Sequence, residues 1–420
     1  MLKNLHVANF VNNSKHSMRV LLAPSSNRGK TLYEAPIISG EWEGALGDNF
    51  QIGDLDMRKS KRGMGGLLDA LSRRQFVQGA AAVGISVTAM PSFASADEEA
   101  KLNLYNWDTY IGETTLEDFK AATGIEVKMD LFADNDELFA KLREGNPGYD
   151  IIVPSNDYVA RMIAADMLEE IDHAKVPNIK NLYPRFMNPA FDPARKFSLP
   201  YMWGTIGIGY RKSKVKEVPN SWGALYDSDM YSGKIALMSE CSTLLQMGMK
   251  YLGYSVNDTS DEALEAATAL IIKQKPHIKS FHEDNGQDLL AAGEVDVVME
   301  WNGDIAQLMS EDDDIAYVMP KEGGLIWEDT LAIPKGAPHP ENAHAFINFI
   351  HDPKVNVPLA EFIEYATPNK VAAETAEEGY RTNPAIFPPE ADLANAEAAN
   401  YLGEEDITKK DEACTRIFAA

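Results

Sequence analysis

Trp107, Asp108 and Tyr110 follow a short segment in which two leucines alternate with polar Asn103. Such alternation predicts a strand. In an open α/β sheet, ligands bind in the crevice at the carboxyl ends of the strands. An aromatic face beside a carboxylate attracts positive charge through both the ring quadrupole and the anion. The stretch therefore predicts a site for an organic cation. The alternative is a Trp and a Tyr that cap a core beside a solvated turn acid.

The same pattern recurs at later predicted strand ends. A largely apolar run over residues 149–155 predicts a buried parallel strand, and further strands are predicted over residues 234–238, 295–301, 317–320 and 326–334. Polar, acidic or aromatic residues stand at or just after several of these strands: Ser155, Asp157, Glu240, Trp301, Asp304, Trp327 and Asp329. Each has a structural alternative, because aromatics are often buried, turn acids usually face water, and Ser155 is placed to cap a helix.

Helical patterns separate these strands, which predicts an α/β fold. The acids Asp134 and Glu137 have the spacing of a capping box at a helix start. The apolar segment over residues 205–210 and the one over residues 326–334 are each interpreted as a strand that passes between two lobes. From Tyr380 onward, Pro, Glu and Ala predominate, which predicts helices with few strands.

The first 96 residues have the features of an export signal. Arg73 and Arg74 form a twin-arginine pattern, an uncharged run rich in Ala, Gly and Val follows, and an A-x-A cleavage site ends at Ala96. A buried helix or a membrane span is the alternative, but the run is only weakly apolar. Met57 or Met64 is a candidate for the true start of translation. We expect export to the periplasm by the twin-arginine route.

The composition limits the possible functions. The chain has 420 residues, with 64 acidic and 39 basic side chains and a net charge of −25. This charge argues against binding to nucleic acid or to anionic membranes, which need basic patches. The sequence has no Cys/His spacing typical of a metal site, no nucleophile elbow and no dinucleotide fingerprint, so we expect no cofactor and no metal. It has two cysteines, Cys241 and Cys414, and leaves their pairing open.

The segments YNWDTY, YDIIVPSNDYV, SLPYMWGTIGIGY, KYLGYS, EWNGD, PKEGGLIWEDTLAIP and YATPN occur in this order. Together they resemble the periplasmic spermidine/putrescine-binding proteins of ABC importers over essentially the whole mature chain. The resemblance implies two α/β lobes of the type II binding-protein fold, joined by crossing strands around a ligand cleft. We expect lobe 1 to comprise residues 97–206 and 328–375, and lobe 2 to comprise residues 207–327 and 376–420. We also expect a monomer that delivers its ligand to an inner-membrane ABC permease.

The family's ligand residues carry over onto a specific set of positions. The matching aromatics and Ser are Trp107, Tyr110, Trp301, Trp327, Tyr365 and Ser155, and the matching acids are Glu240, Asp304 and Asp329. At four other positions the sequence departs from the spermidine protein: Asp108, Asp157, Thr243 and Glu283. One anchoring carboxylate is lost at Thr243 and up to three are gained, which leaves open whether the amine is putrescine, spermidine or a relative.

The predicted function is capture of a polyamine for import. One alternative keeps the fold and changes the ligand to another organic cation, an amino-acid-like solute or a metal chelate. The other alternative is an exported enzyme, for which the sequence shows no catalytic motif.

Overall fold

The computed structural model describes residues 98–420 of the chain. The predicted export signal, its cleavage site and both candidate start sites lie outside the described residues. Within the described part, no helix combines the length and the apolar character needed to cross a membrane.

Strands and helices alternate along this part of the chain, as the sequence predicts. The strands are β1 (Lys101–Asn106), β2 (Glu126–Leu131), β3 (Ile151–Ile152), β4 (Ser198–Arg211), β5 (Ile235–Met238), β6 (Ile278–His282), β7 (Val297–Trp301), β8 (Ile315–Val318) and β9 (Ile326–Ala332). The helices are α1 (Thr115–Thr123), α2 (Asn135–Arg143), α3 (Asn156–Ala164), α4 (Gly223–Tyr226), α5 (Cys241–Leu252), α6 (Asp261–Gln274), α7 (Gly286–Ala291), α8 (Asn302–Glu311), α9 (Pro340–Ile350), α10 (Pro353–Ile363), α11 (Lys370–Thr375), α12 (Glu378–Thr382) and α13 (Glu404–Ala419).

The predicted capping box at the start of α2 is present with one change. The Asp134 Oδ1 accepts a hydrogen bond from the Glu137 backbone N–H at 2.7 Å. The Glu137 carboxylate reaches back to accept from the N–H of Ala133, at 3.0 Å, one residue earlier than in a standard box. This start holds Asn135 beside the end of β3, where its amide bonds to Ser155.

The strands join into one sheet in the order β2-β1-β3-β9-β4-β7-β5-β6, and β8 pairs with β4. The long strand β4 connects the two ends of this sheet. Its residues 198–205 pair with β9, and its residues 206–211 pair with β7 and β8. The sequence predicts this strand only over residues 205–210. The strand extends further because the register shift at residues 200–202 accommodates Pro200, which has no N–H to donate.

Hydrophobic cores lie at both ends of the sheet. Leu102, Ile151 and Phe346 belong to a core that packs on β1, β3 and β9, whereas Ile235 and Leu244 belong to a core that packs on β5, β7 and α5. Trp301 packs against both cores. Side chains at the junction are therefore held by both halves of the fold.

The C-terminal region divides between these cores. Tyr380 and Ile386 pack in the first core, and the Tyr380 hydroxyl donates to the Tyr365 carbonyl at 2.6 Å. Cys414 and Ile417, on α13, pack in the second core. The sequence assigns all of residues 376–420 to the second lobe. In the structure the segment around α12 packs with the first core, because aromatic Tyr380 fills space beneath the 365–367 loop.

Candidate functional site

A single cavity brings together all eleven residues that the sequence singles out as ligand-binding candidates. It encloses an empty volume of ≈ 710 Å³, including its opening to solvent. It receives side chains from both halves of the sheet. The predicted residues that line it are Trp107, Asp108, Tyr110, Ser155, Asp157, Glu240, Trp301, Asp304, Trp327, Asp329 and Tyr365.

The cavity also contains residues that sequence reasoning missed as site residues, or named only as departures from the family. They are Asn135, Asn156, Ser242, Thr243, Gln246, Asp284, Leu325, Ile326 and Ala399. Four of them, Asn135, Asn156, Ser242 and Thr243, belong to the first turns of α2, α3 and α5. In an open α/β sheet, the helices that follow the strands start at the same crevice where the strands end. Applied to the sequence, this rule would have identified these helix-start residues as candidates.

Four aromatic rings form a connected wall. Tyr110 meets Tyr365 edge to face, with ring centroids 5.1 Å apart. Tyr365 meets Trp327 at 5.3 Å, and Trp327 meets Trp301 at 5.8 Å, again edge to face. Such contacts fix the orientation of each ring. The wall therefore presents rigid aromatic surface to a ligand from both halves of the molecule.

Trp107 and Asp108 occupy the end of β1 next to this wall. The Trp107 Nε1–H donates to the Val153 carbonyl at 2.9 Å, and its ring lies against Phe132 at 4.5 Å. Asp108 is exposed, and its Oδ1 accepts from the Thr109 N–H at 2.9 Å. Asp108 is thus a solvated acid at the rim, whereas Trp107 is anchored in place.

Asp329 lies at the centre of a hydrogen-bonded group. It is 6% exposed, and its Oδ1 accepts from the Ser155 Oγ–H at 2.6 Å. The Asn135 amide donates in turn to the Ser155 Oγ at 3.0 Å. Ser155 makes no side-chain cap to α3, the role that was its structural alternative. Burial raises the pKa of Asp329 to about 7 against the opposing bond from Ser155.

Glu240 and Asp157 form a second acidic region. Thr243, which the family resemblance marks as a departure, donates its hydroxyl to the Glu240 Oε2 at 2.8 Å. Burial raises the pKa of Glu240 to about 8. Burial also raises the pKa of Asp157, against the opposing charge of Lys410 on α13. Lys410 is only 7% exposed, so a buried cationic side chain lies near Asp157 and Glu240.

Asp304 and Asp284 form a third acidic region. Asp304 lies in the first turn of α8 and is 7% exposed. Burial raises its pKa to about 7, against a hydrogen bond from Tyr365. Burial, and then the charge of Asp304, raise the pKa of Asp284 well above its ordinary range. Glu283, the neighbour that the family resemblance marks as a departure, is exposed and lines a groove outside this cavity.

Six carboxylates therefore line the cavity, while no Lys, Arg or His of the described residues does. Ionised carboxylates in a site with little water are unfavourable unless positive charge meets them. The raised pKa values express this cost. An arrangement of acids between aromatic walls is suited to bind an organic cation.

Comparisons with known proteins identify the class. A family model described as bacterial extracellular solute-binding protein matches residues 114–388. The chain belongs to this family, whose members are solute-binding proteins, and the resemblance found in the sequence is confirmed.

Relatives of this chain include named polyamine binders. The chain is 36% identical over 335 residues to the spermidine/putrescine-binding periplasmic protein of Escherichia coli (strain K12), covering 79% of this chain and 94% of that protein. It is 34% identical over 315 residues to the putrescine-binding periplasmic protein SpuD of Pseudomonas aeruginosa, covering 71% and 86%.

A solved structure with the same fold is the spermidine/putrescine ABC transporter substrate-binding protein PotD of Streptococcus pneumoniae. Its TM-score is 0.66 at 31% identity, covering 76% of this chain and 98% of that one. The predicted α/β binding-protein fold is confirmed by this match.

Proposed function

We propose that this protein captures a polyamine of the putrescine or spermidine class in the periplasm and delivers it to an ABC permease. The observation that carries the proposal is the set of six carboxylates around a cavity walled by four connected aromatic rings. The names of the relatives support the same ligand class.

The chemistry of a polyamine fits these surfaces. Each ammonium group donates charge-assisted hydrogen bonds to carboxylates, which contribute roughly 1.5–3 kcal/mol each. A cation held over a desolvated aromatic ring contributes about 2 kcal/mol. Several such contacts together are comparable with the roughly 8 kcal/mol of micromolar binding, and the entropy lost on association opposes them. The methylene segments pack on the rings.

The fold suggests how the ligand is enclosed. The strands β4 and β9 connect the two cores beside the cavity. We propose that they act as the hinge of two lobes that close on the amine, as in other hinged binding proteins. We further propose that the twin-arginine segment directs export and that the protein works as a monomer.

Titration calorimetry with putrescine, spermidine, cadaverine, agmatine and choline tests the ligand class. We expect binding of at least one primary polyamine with micromolar or tighter affinity. Heat with choline alone would reject the polyamine assignment in favour of a quaternary amine. No heat with any of the five amines would reject an organic-cation ligand of this kind.

A further inference from the structure

Three carboxylates converge at the end of the cavity formed by the second half of the fold. Asp284 follows β6, Glu300 belongs to β7, and Asp304 lies in α8. One oxygen from each lies within 4.8 Å of the other two. Asp284 and Asp304 line the cavity, whereas Glu300 is fully buried behind them. The proposed function counts Asp284 and Asp304 only among the six lining carboxylates and gives no role to Glu300.

The buried side chain of His282 lies next to Glu300 of this cluster. The Glu300 Oε2 and the His282 Nδ1 both lack a hydrogen-bond partner, and they lie 3.8 Å apart. The other ring nitrogen of His282, Nε2, bonds to the Met299 carbonyl at 3.1 Å, so Nε2 carries the proton and Nδ1 presents a lone pair. Burial lowers the pKa of His282 to about 4, which keeps the ring neutral. Two acceptors therefore face each other with no donor between them.

From this geometry we propose that Asp284, Glu300 and Asp304 form a subsite for one primary ammonium group, and that ammonium binding releases a proton that the empty cluster retains. The proposal rests on the proposed function and deepens it, because it assigns two further acids to the amine site and links capture to protons.

The size of the cluster suits an ammonium group. Three oxygens that all lie within 4.8 Å of one another fit inside a circle of about 2.8 Å radius, so a nitrogen at its centre is at most about 2.8 Å from each, within N–H···O hydrogen-bond distance. A primary ammonium has three N–H donors, one for each carboxylate. Calcium takes six to eight oxygen ligands, whereas this cluster supplies three side chains. A nitrogen that enters between Asp284 and Asp304 meets Glu300 last.

The surroundings explain why the empty cluster retains a proton. Burial raises the pKa of Glu300 well above its ordinary range, and the charges of Asp304 and Asp284 raise it further. No Lys or Arg of the described residues forms an ion pair with any of the three acids. The titratable groups that face the cluster from the packed elements are His282, Tyr317, Tyr365, Asp108, Asp288 and Glu240. When the ammonium replaces the proton, that proton passes to the buffer and leaves a carboxylate.

Calorimetry of putrescine binding at pH 7 in phosphate and in MOPS measures this release, because the two buffers differ in ionisation enthalpy and neither carries a primary amine. We expect the wild type to release on the order of one proton per amine bound. Glu300→Gln and Asp284→Asn should each reduce the release and weaken binding at least tenfold. The control is Glu283→Gln, since this exposed neighbour of Asp284 lies outside the cavity. It should behave as the wild type.

Each other result has a definite meaning. Equal heats in both buffers, or release that is undiminished in both variants, would overturn the subsite while polyamine capture stands. No amine heat with the wild type would overturn both proposals. Tight binding of Mn²⁺ or Ca²⁺ that both substitutions abolish, with amine affinity unchanged, would assign the cluster to a metal ion instead. If Glu300→Gln does not fold, as judged by its melting curve, the partly exposed Asp284 carries the test.

Discussion

Ser155 donates its hydroxyl to the Asp329 carboxylate at 2.6 Å, and the backbones of the two residues pair as an isolated antiparallel bridge. Ser155 follows β3, while Asp329 belongs to β9, 174 positions further along the chain. The contact fixes the position of the carboxylate without supplying a positive charge. Asp329 is therefore pre-organised to receive a cation, because its carboxylate does not have to reorient to meet the ligand.

Substitution of this acid tests its role most directly. Asp329→Asn keeps the shape and the acceptor for Ser155 but removes the charge that meets the ammonium. We expect at least a tenfold loss of amine affinity, which corresponds to about 1.4 kcal/mol, measured by calorimetry. The control is Asp166→Asn, which makes the same chemical change at an exposed acid outside the cavity and should bind as the wild type. An unaltered affinity for Asp329→Asn would remove this residue from the site.

The buried acids make the stability of the unliganded protein depend on pH. Burial raises the pKa of Glu240 to about 8 and those of Asp304 and Asp329 to about 7. Between about pH 4 and pH 8 the folded state therefore holds protons that the unfolded state has released. Stability contributed by these protonated groups is fully present below about pH 4 and is lost as the pH rises to about 8. The melting temperature of the empty protein should fall across that range.

Saturating polyamine should reverse this trend. The ammonium groups stabilise the ionised carboxylates, so the rise in melting temperature on adding putrescine should be larger at about pH 8 than at about pH 5.5. Scanning fluorimetry at both pH values, with and without ligand, gives the comparison. Glu240→Gln should flatten the dependence of the empty protein. A ligand-induced rise that is larger at the lower pH would contradict the assignment of these acids as amine partners.

The lining of the cavity was more predictable from the sequence than the elements around it. Polar and aromatic residues at or just after strand ends, such as Ser155 after β3 and Trp301 at the end of β7, reach the same crevice whatever the exact strand bounds. The predicted strand over residues 149–155 is reduced to Ile151–Ile152, yet Ser155 still lines the cavity. The topology of a parallel sheet brings its strand ends together, and that is what made these positions predictable.

Other residues could not be found in this way. Which of the adjacent acids Glu283 and Asp284 faces the cavity depends on how the chain turns after β6, and no local pattern encodes that turn. Glu300 lies within a predicted buried strand, where an acid is unexpected, and only the packed structure shows the neighbours that surround it. Pairing of Cys241 with Cys414 likewise depends on tertiary structure.

Packing behind the aromatic wall gives a further test. Gly303, in the first turn of α8, lies so close to Tyr365 that an added Cβ would be 2.5 Å from ring atoms Cδ2 and Cε1. Gly303→Ala should push this ring into the cavity or away from Trp327 and weaken amine binding roughly tenfold or more. Calorimetry measures the loss, and a folded far-UV circular dichroism spectrum excludes unfolding as its cause.

The matched control for that substitution is Gly379→Ala. Gly379 also lies near the start of a helix, α12, but a Cβ added there would meet nothing within 4 Å. Alanine also has the higher helix propensity, so this variant should bind normally and be slightly more stable. Normal binding by Gly303→Ala would show that the ring position tolerates displacement and that Tyr365 is not a ligand contact.

The disulfide between Cys241 and Cys414 ties the start of α5 to α13, with the two Cα atoms 5.8 Å apart. It closes a loop across a sequence separation of 173 residues, and a crosslink of this kind typically stabilises a fold by about 2–4 kcal/mol. It also holds Lys410 of α13 near Glu240, which directly precedes Cys241. We therefore expect a reductant to lower the melting temperature and the amine affinity together.

A variant without the bond separates its effect from other actions of the reductant. The double variant Cys241→Ser/Cys414→Ser should show the same losses without reductant and no further change with it, because it has no disulfide left to break. Scanning fluorimetry and calorimetry on both proteins give the comparison. If thiol titration finds both cysteines of the reduced wild type free while its melting curve stays unchanged, the bond contributes nothing to the fold, and the position of Lys410 behind Glu240 depends on the packing of α13 alone.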